Sequence, residues 1–256
     1  VHVVFARETL PIRSGLIIPS IVPGSYQFMI PWGDRVYVAT TDTPFEGELD
    51  APGVEANDAA IILDSINAAL GTKLTGDDTV ASWAGVRPLL ESRRSATEDI
   101  SRRHVVAMGP PGLVTVTGGK LTTFLVMAAD AVDAALREAG MWAPRRPVSS
   151  IGLFGSLDAA LVRARSEAAR MGLDPDVGDR MVARYGDGWS EALRMVEEDR
   201  SLGERLHAEL PVLRVEAVMA RRFEMAMCDE DIIDRRTRIR SMDRRIAEEL
   251  TLPAEL

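Results

Sequence analysis

The sequence predicts an α+β protein in which a β-rich part is followed by a small helical part. Up to about residue 119, apolar residues fall in short runs bounded by Gly and Pro, a pattern typical of strands. Beyond residue 147 they recur with the helical period. The stretch between Met141 and Pro147 is rich in Pro and Arg and indicates a connector. We therefore predict two domains, at residues 1–147 and 148–256.

Seven runs rich in Val, Ile, Thr and aromatic residues predict the strands of the first part. They are VHVVFA, SGLIIP, YQFMIPW, RVYVATT, TVASWAGV, HVVAMG and LVTVTG. The turn Pro31–Asp34 separates the third and fourth runs, so we expect these two to pair in antiparallel fashion. A helix from about Asn57 to Leu70, stopped by Gly71, interrupts the strands.

Helical periodicity predicts a second helix from Leu121 to Ala139, closed by Gly140. Six further helices are expected in the second part. They cover roughly Leu157–Met171, Asp174–Tyr185, Ser190–Glu198, Val212–Phe223, Asp229–Arg238 and Met242–Leu250.

The composition indicates a globular protein with a sizeable core, since 46% of the 256 residues are hydrophobic and 27% are charged. No apolar run approaches the roughly 20 residues that span a bilayer. The first residue is Val and no signal peptide follows, so we expect the sequence to begin inside a longer polypeptide. The single cysteine, Cys228, excludes an internal disulfide and fits the reducing cytoplasm.

The net charge of −9 argues against a nucleic-acid-binding protein, because binding to phosphate backbones requires an excess of positive charge. A small anionic substrate remains compatible with this charge, since a few converging arginines can bind one phosphate. His104, His207 and Cys228 lack the spacing of metal ligands, so we predict no metal site.

Two arginine-containing segments are candidates for a functional site. Arg87 ends the apolar run TVASWAGVR, where a guanidinium needs either a structural carboxylate or a bound anion. Arg102 lies two residues before His104, so alternation in a strand would place both on one face. A solvated strand entry is the alternative for this second segment.

A third candidate is the segment Thr117–Thr123, TGGKLTT, in which a strand passes through two glycines into a helix. Glycines allow close approach of a ligand, and a helix start offers unpaired N–H groups and a partial positive charge. This combination favours a phosphate, or the electron-rich end of a ring that becomes anionic on reduction. The spacing is not that of a P-loop, and an ordinary turn between strand and helix is the alternative.

Together these segments resemble the FAD-dependent glycerol-3-phosphate dehydrogenase family. The resemblance rests on VHVVFARETLP, IPWGDRVYVATTDT, GDDTVASWAGVRPLL, DISRRH, GLVTVTGGKLTTF and FEMAMCDEDIIDRRTR, in the family's order and spacing. It implies a substrate-binding domain of the FAD/D-amino-acid-oxidase-like type followed by an all-α C-terminal domain. It also implies the cofactor FAD.

The resemblance assigns the site residues one by one. It implies catalytic roles for His2 and Arg87, with His2 accepting a hydroxyl proton and Arg87 steadying the developing alkoxide. Arg102, Lys120 and Thr40 would bind the substrate, the first two through its phosphate. The residues expected to contact the flavin are Gly118, Gly119, Leu121 and Thr122.

The implied reaction is oxidation of sn-glycerol 3-phosphate to dihydroxyacetone phosphate, with electrons passed on to quinone. A related oxidase that passes electrons to oxygen is an open alternative, and so is a helical interaction module without catalysis of its own. No G-x-G-x-x-G occurs in the sequence, so we expect the first half of the enzyme, with most of the flavin site, to be missing. We therefore predict that the 256-residue chain alone is inactive and purifies colourless.

The basic segment Arg235–Arg245 is interspersed with acidic residues, which favours a solvated, salt-bridged surface. Peripheral contact with anionic lipid on the inner face of the cell membrane is the alternative. The sequence leaves the oligomeric state open, with a homodimer among the alternatives.

Overall fold

The computed structural model describes residues 1–87, 104–142 and 157–252. The chain forms two compact units, one made of Val1–Gly85 together with Leu153–Leu256, and the other of Val86–Gly152. The predicted domain boundary near Pro147 lies outside the described residues and stays a prediction.

The first unit contains a five-stranded antiparallel sheet. Its strands are β1 (His2–Ala6), β2 (Leu16–Pro19), β3 (Tyr26–Trp32), β4 (Arg35–Ala39) and β5 (Thr79–Trp83), in the spatial order β2-β3-β4-β1-β5. The predicted pairing of the third and fourth runs is confirmed, because β3 and β4 pair antiparallel across a turn at Gly33 and Asp34. This order puts β1 between two neighbours, so both of its edges are paired.

The two faces of this sheet differ in what covers them. On one face, residues such as Val3, Phe5 and Met29 form a buried core with Ile62 and Ile66 of helix α1 (Ala56–Leu70). As predicted, α1 stops at Gly71, which adopts the left-handed conformation that glycine accepts without strain. Because side chains alternate along a strand, His2 and its cross-strand neighbours lie on the opposite face.

The helical part of the first unit holds two further apolar cores. Helices α3 (Leu157–Arg170), α4 (Val177–Tyr185), α5 (Trp189–Glu198) and α6 (Arg214–Phe223) enclose the first core. The second core lies among α6, a π-helix (Asp231–Arg236), α7 (Ile239–Met242) and α8 (Arg244–Glu249).

The helical part is fastened to the sheet through Arg35 of β4. Its Nε donates to the carbonyl oxygen of Met242 at 3.1 Å, and a second guanidinium nitrogen lies 3.5 Å from the carboxylate of Asp243. Since Arg35 is largely buried, this contact fixes the end of α7 against the strand that carries Tyr37.

The second unit contains a β-hairpin and one long helix among its described residues. Strands β6 (His104–Met108) and β7 (Val114–Gly118) pair antiparallel, with His104 opposite Gly118. A 3₁₀ turn (Leu121–Thr123) then leads directly into α2 (Phe124–Glu138). The predicted helix from Leu121 to Ala139 is therefore confirmed, apart from its tighter first turn.

Three predicted elements differ from the structure. Strand β5 ends at Trp83, so Arg87 follows the strand and does not belong to it. The helix expected at Asp229–Arg238 begins as expected, but it continues as a π-helix over Asp231–Arg236 and ends there. The helix expected from Met242 to Leu250 begins two residues later, at Arg244, because the carboxylate of Asp243 accepts from the backbone N–H of Ile246 at 3.2 Å and caps its start.

The basic segment is largely salt-bridged, as expected. Arg235, Arg240, Arg244 and Arg245 pair with Asp231, Asp234, Glu248 and Glu209 at 2.7–2.8 Å. Most of its positive charge is therefore compensated locally. Within the three described ranges, no helix combines the length and the apolar character needed to cross a bilayer.

Candidate functional site

His2 opens the central strand of the sheet, and its backbone is aligned on both sides. It lies opposite Ala39 of β4 and opposite Trp83 of β5. Its ring stacks on Trp83, with 4.7 Å between the ring centroids and 9° between the planes. Pairing with two strands thus fixes the backbone of His2, and stacking on Trp83 orients its ring. The residue is half-buried.

An aromatic cluster surrounds His2 on the face of the sheet away from α1. Tyr37 lies 6.1 Å from His2 and 5.9 Å from Trp83, measured between ring centroids. Trp32 meets Tyr37 edge to face at 6.1 Å. Such tilted and edge-on arrangements are favourable for aromatic pairs and fix the positions of the rings.

A cavity of about 430 Å³ opens above this cluster. The aromatic residues and His2 form one wall, and the helical part supplies Asp234, Arg238 and Ser241. Asp234 is engaged by the Nε of Arg240 at 2.8 Å. Arg238 has a φ of 60°, an uncommon conformation for a residue with a side chain. The cavity therefore combines an aromatic wall with acidic, cationic and hydroxyl side chains.

Thr40 follows the last residue of β4 and is half-buried. Its neighbour Thr41 accepts a hydrogen bond from the terminal amine of Val1 at 3.3 Å, and Thr43 donates to the carboxylate of Asp58 at 3.0 Å. These contacts tie the segment after β4 to β1 and to α1.

In the second unit, the turn after β7 is built from two consecutive glycines in the left-handed region. Gly118 has a φ of 72° and Gly119 a φ of 84°. A Cβ at Gly119 would lie 2.5 Å from Sδ of Met127 and 3.0 Å from Cβ of His104. The positive φ at position 119 favours glycine, and an added Cβ would displace the thioether of Met127 and crowd the Cβ of His104.

The residues after this turn present their backbone to solvent. Among the described residues, the N–H groups of Lys120, Leu121 and Thr122 have no backbone or side-chain acceptor, as expected at a helix start. Lys120 is exposed, and Leu121 is 88% exposed. The exposed segment Lys120–Thr122 therefore offers three N–H groups, a partial positive charge and the ammonium group of Lys120.

Comparisons with known proteins match nearly the whole chain. Residues 1–125 match the family model described as FAD dependent oxidoreductase, and residues 149–253 match the C-terminal domain of alpha-glycerophosphate oxidase. "Glycerol-3-phosphate dehydrogenase 2" of Mycobacterium tuberculosis is 38% identical over 93% of this chain and 41% of its own length. The human mitochondrial glycerol-3-phosphate dehydrogenase is 32% identical over 97% of this chain and 35% of its own length.

A solved structure gives the same result at the level of the fold. The glycerol-3-phosphate dehydrogenase of Bacillus halodurans, complexed with FAD, superposes with a TM-score of 0.78 at 25% identity. The superposition covers 97% of this chain and 49% of that protein. This chain belongs to the FAD-dependent glycerol-3-phosphate dehydrogenase family. It spans about two fifths of the length of the curated relatives that it matches.

Membership of this family confirms the predicted fold class and the predicted cofactor. The β-rich part is of the FAD-dependent oxidoreductase type and the second part is the helical domain of these enzymes. The N–H groups that follow the double-glycine turn would suit a ring edge that gains negative charge on reduction, and contact of this turn with FAD stays a prediction. Gly118, Gly119, Leu121 and Thr122 are the residues that would contact it there.

The predicted site residues of this glycerol-3-phosphate dehydrogenase homologue fall into three groups. His2 and Thr40 lie in the first unit, and Lys120 lies with the glycine turn in the second. Arg87 is exposed and also belongs to the second unit. Arg102 lies outside the described residues. The gathering of these cations around one substrate therefore stays a prediction.

Sequence reasoning missed the residues that surround His2. Trp83 and Tyr37 were interpreted only as strand residues, and Arg238 only as part of a salt-bridged surface. The strand register supplies the missing signal, because Tyr37 pairs with Val4 and Trp83 with His2 on one sheet face. No comparable signal marks Arg238, whose position depends on how the helical part packs on β5.

Proposed function

We propose that this chain supplies the substrate side of an FAD-dependent oxidation of sn-glycerol 3-phosphate to dihydroxyacetone phosphate. Electrons would pass from the flavin to quinone. The proposal covers the complete enzyme, of which the chain corresponds to the C-terminal part. Glycerol 3-phosphate is the expected substrate because relatives that match 93% or more of the chain are glycerol-3-phosphate dehydrogenases.

The observation that carries the proposal is the glycine turn leading into α2. Two left-handed glycines, three unengaged N–H groups and Lys120 occupy one exposed edge. A neutral ligand would make little use of this edge. An anionic phosphate or a reduced flavin ring would be stabilised by both the amides and the ammonium group.

The cationic residues would hold the substrate phosphate. Lys120 and Arg102 supply charge-assisted hydrogen bonds to a dianion, which fix its position as well as its affinity. Arg87 would stabilise the negative charge that develops on the oxygen of carbon 2. Thr40 would line the same pocket through its hydroxyl group.

His2 would accept the proton of the hydroxyl group on carbon 2, while a hydride leaves carbon 2 itself. An imidazole exchanges protons near neutral pH, and stacking on Trp83 holds this one in a fixed plane. Bound FAD supplies the hydride acceptor at its N5 position. The aromatic wall around His2 would limit access of water to the reacting carbon.

Kinetics of the full-length enzyme test the phosphate role. We expect Lys120→Ala and Arg102→Ala each to raise the KM for glycerol 3-phosphate by about tenfold or more, since each loses a charge-assisted hydrogen bond. Lys73→Ala is the matched control, because Lys73 is an exposed lysine in the loop after α1. Unchanged KM values in both site variants would remove the phosphate-binding role.

Oxygen as the electron acceptor is the second candidate, since the helical part matches a domain named after an alpha-glycerophosphate oxidase. The two candidates use the same substrate pocket and differ in where the electrons go. Stoichiometric peroxide release by the full-length enzyme would favour the oxidase. Reduction of a quinone analogue without peroxide would favour the dehydrogenase.

A further inference from the structure

His104 connects the glycine turn to helix α2. It is the first residue of β6 and lies directly opposite Gly118, the last residue of β7. Its Nε2 lies 2.9 Å from Oδ2 of Asp130, on the second turn of α2. The imidazole is 18% exposed and the Asp130 side chain 42% exposed, so the hydrogen bond is shielded from solvent on the histidine side only.

The same histidine also packs against the glycine turn at Gly119. Its Cβ is 3.0 Å from the position that a Cβ would occupy at Gly119, and Met127 of α2 closes the other side at 2.5 Å. Gly119 thus rests on one residue of β6 and one of α2. Any shift of the helix along the hairpin would move this support and the N–H groups that follow it.

Among the described residues, few buried apolar side chains join this hairpin to α2. Ala134 is the one fully buried apolar residue among the described residues of this unit. Productive geometry at a cofactor requires donors placed to within about 0.5 Å, which weak apolar packing alone does not ensure. A directional hydrogen bond between strand and helix, made by a largely buried imidazole, can supply that precision.

We propose that His104 and Asp130 are a positioning pair that sets the flavin-facing turn, Gly118–Thr122, against α2. This inference rests on the proposed function for the identity of the ligand. The pair neither touches the flavin nor exchanges protons with the substrate. It acts through the turn, by holding the N–H groups of Lys120, Leu121 and Thr122 at a fixed distance from the ring edge.

The chain offers a matched control at the other end of the same helix. Glu138 of α2 accepts a hydrogen bond from the backbone N–H of Gly112 at 2.9 Å, which ties the helix to the hairpin loop. Glu138→Ala removes a contact between the same two elements, far from the glycine turn. A purely structural role of His104 would therefore give the same phenotype as this control.

The first test measures hydrogen exchange in the 256-residue chain. We expect His104→Phe, which keeps the bulk and removes the hydrogen bond, to speed exchange of the Thr123 amide and of the amides in the first turn of α2. His104→Gln, which keeps a donor near the Nε2 position, should restore slow exchange. Glu138→Ala should affect only the last turn of α2 and the hairpin loop. Unchanged exchange near Thr123 in His104→Phe overturns the proposal.

The second test measures the flavin in the full-length enzyme. We expect His104→Phe to weaken FAD binding by about tenfold and to make the reduction potential more negative, because misplaced donors stabilise the reduced ring less. His104→Gln should recover most of both values, and Glu138→Ala should leave them within about twofold. If His104→Phe fails to fold, Asp130→Ala takes its place in both tests.

The two tests separate this inference from the proposed function. A wild-type full-length protein that binds no FAD, with turn exchange still dependent on His104, contradicts the function and leaves the pair as a structural element only. Normal FAD binding and potential in His104→Phe contradicts the pair and leaves the function standing.

Discussion

At the scale of single residues, Gly119 combines a left-handed backbone conformation with close contacts around its Cα. Its φ of 84° excludes an unstrained side chain, and the space above its Cα is filled by Met127 and His104. Gly112, in the hairpin loop, has nearly the same φ of 83° and nothing within 4 Å of a built Cβ. Substitution of Gly112 would therefore cause backbone strain alone, whereas substitution of Gly119 would cause both backbone strain and crowding.

We expect Gly119→Ala to destabilise the second unit by about 2–4 kcal/mol and to abolish FAD binding in the full-length enzyme. About 1–2 kcal/mol would come from the left-handed backbone and the rest from displacement of Met127. Gly112→Ala should show only the backbone contribution and retain FAD. Equal effects of the two substitutions on unfolding and on FAD affinity would mean that the turn is not packed against α2.

Single residues also mark the limit of what the sequence could predict. The glycine turn was predictable, because two glycines between a strand pattern and a helix pattern are a local signal. The surroundings of His2 were not, since Trp83 follows it by 81 positions in the sequence yet stacks on its ring. Only the pairing of β1 with both β4 and β5 brings these rings together.

At the scale of elements, helix α6 is organised by Glu216, which is completely buried. Its carboxylate receives two hydrogen bonds from Arg180 of α4, at 2.7 and 2.8 Å, and one from the backbone N–H of Leu213 at 2.9 Å. The last contact caps the start of α6, so the helix begins at Arg214 and not at Val212 as periodicity predicted. Burial, and then the negative charge of Glu216, raise the pKa of Tyr185 beside it.

We expect Glu216→Gln to lower the free energy of unfolding by about 3 kcal/mol. The substitution keeps the shape of the side chain but leaves the guanidinium of Arg180 without its buried counterion. Glu198→Gln on α5 is the matched control, since Glu198 is 63% exposed in its pair with Arg194 and should change stability by less than about 0.5 kcal/mol.

Urea unfolding followed by circular dichroism would measure both variants. Similar midpoints for Glu216→Gln and Glu198→Gln would show that the buried ion pair does not stabilise the junction of α4 and α6. A capping aspartate explains why α8 is separate from α7. An aspartate that accepts from the N–H three residues later is a helix-start signal, and Asp243 carries it inside a periodic run.

At the scale of the whole molecule, the two compact units differ in how much apolar surface they bury. The first unit holds three buried apolar clusters. In the described part of the second unit, large apolar side chains remain exposed on both the hairpin and α2. They include Val105, Val116, Phe124, Leu125, Val126 and Val132. By themselves, the described hairpin and α2 would be marginally stable in water with such a surface.

Hydrogen exchange should reveal this difference within one chain. In the 256-residue chain, we expect backbone amides of α2 to exchange at least about tenfold faster than those of α5, because local opening of the second unit exposes little additional apolar surface. The central strand β1, paired on both edges, is the internal reference for slow exchange. We expect the amides of α2 to slow towards the rate of α5 in the full-length enzyme if its remaining part covers Phe124 and Val126, while the rates in α5 stay the same. Equal protection of α2 and α5 in the 256-residue chain would contradict this argument, since it would mean that the hairpin and α2 are already stabilised without a covering partner.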